Sequence, residues 1–229
     1  VDGADEAVIY LTADTDYAPN YNPDFTDNKA YVGVNPVNTT KQWMKNAVKT
    51  GFLKLFKQHY ADYASLYNRV KFTLDGPTST KSTNERLSDY RQGVKDAGLE
   101  TLYYQYGRYL LIASSRPGNL PANLQGMWHN NVDGPWRVDY HNNINLQMNY
   151  WPALPTNLTE CAEPLTDFIR LLEKPGERTA KAYWGARGWA AGISANIFGF
   201  TAPLEGADMS WNYNPMAASW LATHLWDYY

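Results

Sequence analysis

Leu99-Glu-Thr-Leu-Tyr-Tyr-Gln-Tyr-Gly-Arg-Tyr-Leu-Leu-Ile-Ala-Ser114 decides the fold class. The run is apolar on most faces, carries no proline and stands between Gly98 and Pro117-Gly118, so it predicts a helix buried between neighbours. Gly107, inside it, costs about 1 kcal/mol relative to alanine. That cost predicts a close helix contact at this point.

Upstream, Trp43, Val48, Phe52, Leu55, Phe56, Tyr60, Tyr63, Leu66 and Val70 recur at mostly three- and four-residue spacing, which is helical periodicity. Pro77 to Asn84 reads as a loop, and Asn84-Glu85-Arg86 opens a short helix. Downstream, Asn143 to Trp151 opens a helix that Pro152 ends or kinks. Cys161 to Lys174 forms the next, with Pro164 in its first turn, and Ala217 to Tyr229 forms a last apolar helix. From Lys41 onward strand signals are few, and an all-α array is the simplest reading. Ala7 to Thr12 is the exception. It is β-branched and aromatic and leads into a loop rich in Asp, Asn and Pro, so it reads as the tail of a β element whose partners precede this sequence. The expected organisation is residues 1–40 as the end of a β-domain and its loop, 41–95 as a helical linker, and 96–229 as part of a helical domain. The final helix has no stop signal, so that domain is expected to continue.

Of the 229 residues, 44% are hydrophobic and 19% charged, with a net charge of -3, enough for a real core and no attraction for a polyanion. Nucleic acid is therefore excluded as an expected partner. No window approaches the apolar length of a membrane span. The single Cys161 pairs with no second cysteine, and no Cys/His pair has ligand spacing, so neither a metal nor another cofactor is expected. The 9 Trp and 18 Tyr sit largely beside Asn, Gln, His and Gly. That mixture suits a sugar, whose C–H faces stack on aromatic rings and whose hydroxyls need amide and imidazole partners, and it equally suits an aromatic core.

Asn119 to Tyr140 has no convincing period and carries Gln125, Trp128, His129, Trp136, Arg137 and Asp139. A long polar-aromatic loop in a compact domain is usually functional. It leads into Tyr140-His-Asn-Asn-Ile-Asn-Leu-Gln-Met-Asn-Tyr-Trp151, where His141, Asn143 and Asn145 alternate. In an extended segment all three share one face and converge on one water or hydroxyl; in a helix they diverge and serve as caps. Trp128, Trp211 and Trp220 offer stacking platforms or helix packing. His224, among Leu221, Leu225 and Trp226, reads as a satisfied core histidine.

Three runs, Arg116-Pro-Gly-Asn-Leu-Pro-Ala-Asn-Leu-Gln-Gly-Met-Trp128, Pro135-Trp136 and Asn143-Ile-Asn-Leu-Gln-Met-Asn-Tyr-Trp-Pro-Ala153, together with Gly185-Ala-Arg-Gly-Trp189 and the stretch from Trp211 to Trp226, resemble glycoside hydrolase family 95. The resemblance implies part of an (α/α)6 barrel preceded by a β-domain and a helical linker. It implies inverting hydrolysis of terminal α-L-fucosyl or, in some members, α-L-galactosyl residues on a glycan. Asn143 and Asn145 match the asparagine pair that holds the attacking water, and His141 matches a residue that hydrogen-bonds the sugar; Trp128 and Trp211 join the substrate-binding candidates. The family's general acid Glu and activating Asp lie beyond Tyr229, so a carbohydrate-binding fragment without turnover is the alternative. Many family members carry a histidine near Gly192 that is missing here, which leaves the preference between fucose and galactose open. Export to the periplasm or exterior is likewise implied only by the resemblance.

Overall fold

The computed structural model describes residues 2–206 and 208–229. Two compact units divide at Ser65 and Leu66.

In the first, the loop around Tyr17 closes on itself: Ala18 N donates to Tyr31 O at 2.9 Å, Gly33 N to Asp16 O at 2.6 Å, and the Tyr17 and Tyr31 rings stack at 6.3 Å. Burial pushes the Tyr17 phenol up to about 12. Residues 7–12 form no strand, and Ile9 and Leu11 are exposed. The expected strand is absent because a strand needs a neighbour to accept its ladder bonds, and the first unit supplies none among the described residues. Helix α1 (Val37–Thr50) and most of α2 (Phe52–Tyr67) complete the unit. The helical periodicity is carried by two helices, broken at Gly51, whose φ of 78° and ψ of 154° only glycine adopts readily.

The second unit holds α3 (Thr83–Arg91), α4 (Ala97–Ser114), α5 (Asn145–Tyr150), α6 (Glu163–Trp184), α7 (Met209–Asn212) and α8 (Ala217–Tyr228). The described residues are mainly helical, as the all-α reading expected. Asp96 starts α4, its carboxylate accepting from Leu99 N at 2.9 Å and from Arg86 Nε and Nη2 at 2.7 and 2.9 Å. Arg86 holds that carboxyl down at about 2. α4 is buried along one side only, through Ala97, Leu99, Arg108, Leu111 and Ile112, while Tyr103 and Tyr106 are exposed. Nor does Gly107 serve a close contact, since a Cβ there would meet no atom within 4 Å. Both expectations for the deciding run fail on the same side of the helix.

Arg108 is fully buried without a carboxylate. Its guanidinium donates to Leu66 O at 3.0 Å, Tyr67 O at 2.8 Å, Gln105 Oε1 at 3.0 Å and Thr156 O at 3.3 Å. The carbonyls at the end of α2 carry the negative end of the helix dipole, and the charge is met there.

α6 organises the core. Leu165, Phe168, Ile169, Leu172, Pro175, Gly176, Thr179 and Ala180 lie buried in one stripe at helical spacing. Its expected end at Lys174 is wrong: the helix continues through Pro175 for nine more residues to Trp184. An interior proline costs roughly 3 kcal/mol, and the buried stripe on both sides of it outweighs that. The helix packs on α8 and α5 packs on both α8 and the strand that follows the long loop. That strand, β1 (Tyr140–His141), pairs antiparallel with β2 (Ser194–Ala195), matching Tyr140 with Ala195 and His141 with Ser194.

Candidate functional site

The site is built where the long loop meets β1. Asn142 N donates to Ile193 O at 2.6 Å and Asn142 Nδ2 to Gly192 O at 3.1 Å, which extends the two-residue pairing. Gln147 Nε2 returns from α5 to Asn142 O at 2.7 Å. Gly192 is needed here on steric grounds, because a Cβ would come within 2.8 Å of the Ala202 carbonyl oxygen. Beneath the turn, the buried Tyr150 hydroxyl accepts from Ala122 N at 2.8 Å and shares a 2.7 Å bond with Ser115 Oγ. Burial raises its pKa strongly.

His141, Asn143 and Asn145 do not share an extended face. His141 ends β1, Asn143 stands in the turn, and Asn145 is the first residue of α5. His141 is 5% exposed. Its Nδ1 lies 2.9 and 3.1 Å from the two carboxylate oxygens of Asp139, and Ser194 Oγ donates to the same carboxylate. Nε2 of His141 and Oδ1 of Asn143 are both buried without a hydrogen-bond partner. Unmet buried polar atoms cost about 1–3 kcal/mol each, so each calls for a physical explanation.

Two indoles flank the imidazole. Trp211, on α7, lies 5.6 Å from the His141 ring, and Trp136 approaches it edge-on at 6.4 Å; both are exposed. Trp136 belongs to a run in which Trp136, Arg137 and Val138 have φ of 52°, 56° and 56°. Left-handed backbone at non-glycine residues costs of order 1–3 kcal/mol each, and it is found here in the three residues before Asp139. Sequence reasoning placed Trp136 in a quoted motif and Asp139 in the loop, neither with a role, and nothing announces the left-handed backbone, since residues 136–138 contain no glycine.

Trp128 stands apart from this group. It lines a cavity of about 330 Å³ with Gly107, Leu110, Ala122 and Asn149, which none of His141, Asn143 and Trp211 lines. Trp220 is partly buried on α8. Glu205 is exposed, and Asp208 accepts from Trp211 N at 3.2 Å, a helix-start contact. His224 is not satisfied, as its Nε2 is buried without a partner in the wall of a cavity of about 240 Å³. Burial pushes Cys161 up to about 11, so the thiolate it would need as a nucleophile or ligand is scarce. Among the described residues no group of acidic, His or Cys side chains is placed to hold a metal, and no helix is long and apolar enough to cross a membrane.

The profile of the glycosyl hydrolase family 95 catalytic domain matches residues 51–229. The chain belongs to glycosyl hydrolase family 95. It is 39% identical to "Alpha-L-fucosidase 2" of Arabidopsis thaliana, over the whole of this chain and 27% of that protein. It is 37% identical to "Probable alpha-fucosidase A" of Aspergillus niger, over the whole chain and 29% of the relative. A protein of the same description from Aspergillus oryzae is 36% identical over 86% of this chain and 28% of its own length. The chain thus spans a little over a quarter of the length of these relatives.

Proposed function

We propose that this chain carries the water-holding face of an inverting exo-glycosidase that removes terminal α-L-fucosyl, or α-L-galactosyl, residues from glycans. The observation that carries the reading is the pair of buried, unpartnered polar atoms, His141 Nε2 and Asn143 Oδ1, next to the exposed indoles of Trp211 and Trp136. Family membership and the names of the relatives supply the chemistry. A sugar brings hydroxyls, which both donate and accept, for these atoms and a C–H face for an indole. Asn143 and Asn145 position the attacking water, and His141 and Trp211 hold the sugar. Trp128, lining its separate cavity, contacts a more distant part of the glycan.

An amide oxygen is a weak base, so the asparagine pair needs a carboxylate to polarise it and a general acid on the opposite face of the sugar. On the family pattern both lie beyond Tyr229. The division into β-domain tail, linker and barrel, and export from the cytoplasm, belong to the same reading.

Release of L-fucose from a 2'-fucosyl oligosaccharide by the full-length protein, with the product anomer followed by NMR, tests it. The β-anomer is expected first, and Asn145→Ala should lower turnover by roughly 10²–10⁴-fold with an unchanged melting curve. Near-normal turnover in Asn145→Ala overturns the role of the pair, and no release from fucosides or L-galactosides overturns the activity. A second reading, glycan binding without turnover, is favoured for this chain alone because it spans only about a quarter of its relatives. Binding of a fucosylated glycan by the chain, with no release, distinguishes it.

A further inference from the structure

The Asp139 carboxylate sits between two donors. Ser194 Oγ reaches it from β2, and His141 Nδ1 lies within 2.9 and 3.1 Å of its two oxygens. The side chains of His141 and Asp139 are only 6% and 12% exposed, so water competes poorly for either. An ionised carboxylate only accepts hydrogen bonds, so Nδ1 of His141 must carry the proton. In the neutral ring Nε2 is then a lone pair. Trp211 and Trp136 stand against the same ring and restrict its rotation.

We propose that Asp139 is a positioning residue: it fixes the tautomer of His141, so that the imidazole presents to the ligand an acceptor at Nε2 and not a donor. The ligand group must therefore donate, as a free sugar hydroxyl does, and that hydroxyl keeps its own lone pairs for donors elsewhere in the site. An ether or a deoxy position there leaves Nε2 unmet, and a site built around a hydroxyl rejects such analogues strongly. The identity of the ligand as a sugar rests on the glycosidase reading; the tautomer does not.

Two measurements test it. The chain has 4 histidines, so ¹⁵N-histidine labelling and long-range ¹H–¹⁵N correlation resolve each ring, with His141 assigned by its loss in His141→Gln. At neutral pH the wild type should show the Nδ1–H form at His141, and Asp139→Ala should lose that preference. An Nε2–H form, a ring protonated on both nitrogens or an even mixture in the wild type at neutral pH overturns the proposal, whatever the protein hydrolyses. In the full-length enzyme, Asp139→Ala should lower kcat/KM roughly ten- to hundred-fold, as loss of a partner that orients a histidine does. Added to His141→Ala, it should cause no further loss. Multiplicative effects in the double variant would mean that Asp139 only braces the β1–β2 pair, and would overturn the coupling. If the wild type cleaves neither fucosides nor L-galactosides, the glycosidase reading fails while the spectrum still decides the tautomer.

Discussion

At the scale of single residues, the informative ones are polar groups in apolar surroundings. His224 is expected to be satisfied and is not; it shares a cavity wall with Tyr150, Trp151, Leu154, Leu165 and Asp227, and burial lowers its pKa while Asp227 opposes the shift. The unfolded chain, with an ordinary histidine pKa near 6.5, takes up the proton first on acidification. The stabilisation is therefore complete above about pH 6.5 and is lost as the pH falls towards the depressed folded value. Melting temperatures of wild type and His224→Gln should diverge with pH, the wild type falling more steeply between roughly pH 7 and 5. Parallel curves would show that the ring titrates as it does in the unfolded chain. The chemical residues of the site were legible unevenly. His141, Asn143 and Asn145 stood out by type and spacing. Asp139 and Trp136 did not, because what matters about them is a contact with a strand more than fifty residues downstream and a backbone conformation that their side chains do not announce.

At the scale of elements, existence and type were legible, and limits were not. Apolar periodicity runs across Gly51 without a break, because a glycine that ends one helix and admits the next leaves the spacing unchanged. Pro175 misled in the opposite direction: it signals a stop, yet the buried stripe continues to Ala180, and Gly176 O accepts from Ala190 N at 3.1 Å. The proline's local cost is real and is outweighed by contacts that a local reading cannot see. Arg108 shows the same limit, since nothing in the run around it names its partners, the carbonyls of Leu66, Tyr67 and Thr156. Arg108→Met keeps much of the volume and leaves the carbonyls of Leu66, Tyr67 and Thr156 without their donor. It should destabilise the fold by roughly 2–4 kcal/mol, read as a lower urea midpoint at unchanged slope. Arg108→Lys should recover only part of the loss, because an ammonium cannot span three carbonyls as the planar fork does. Full recovery would show that charge alone matters.

For the whole molecule, burial is unevenly shared. The buried hydrophobic core begins at Leu66 and is densest along α5 and α6, whereas Phe52, Leu53 and Phe56 on α2 are exposed. Stability should follow that division. Leu172→Ala, at a fully buried position, should cost roughly 2–5 kcal/mol, and Leu53→Ala should stay within about 0.5 kcal/mol, both measured by urea unfolding of this chain. A large loss in Leu53→Ala would show that the α2 face is packed in solution.

The pairing of Tyr140–His141 with Ser194–Ala195 has a consequence for how the protein assembles. Its two halves bracket α6, so the strand pair closes a loop of some fifty residues, and chain entropy resists that closure until intervening contacts compensate. Helical hydrogen bonds join residues four apart and this pairing does not. Circular dichroism therefore reports the local bonds and not the pairing, and a preparation with full helical signal is not thereby one in which every molecule has brought His141 to its place. Active-site titration, not helix content, is the proper count of competent molecules.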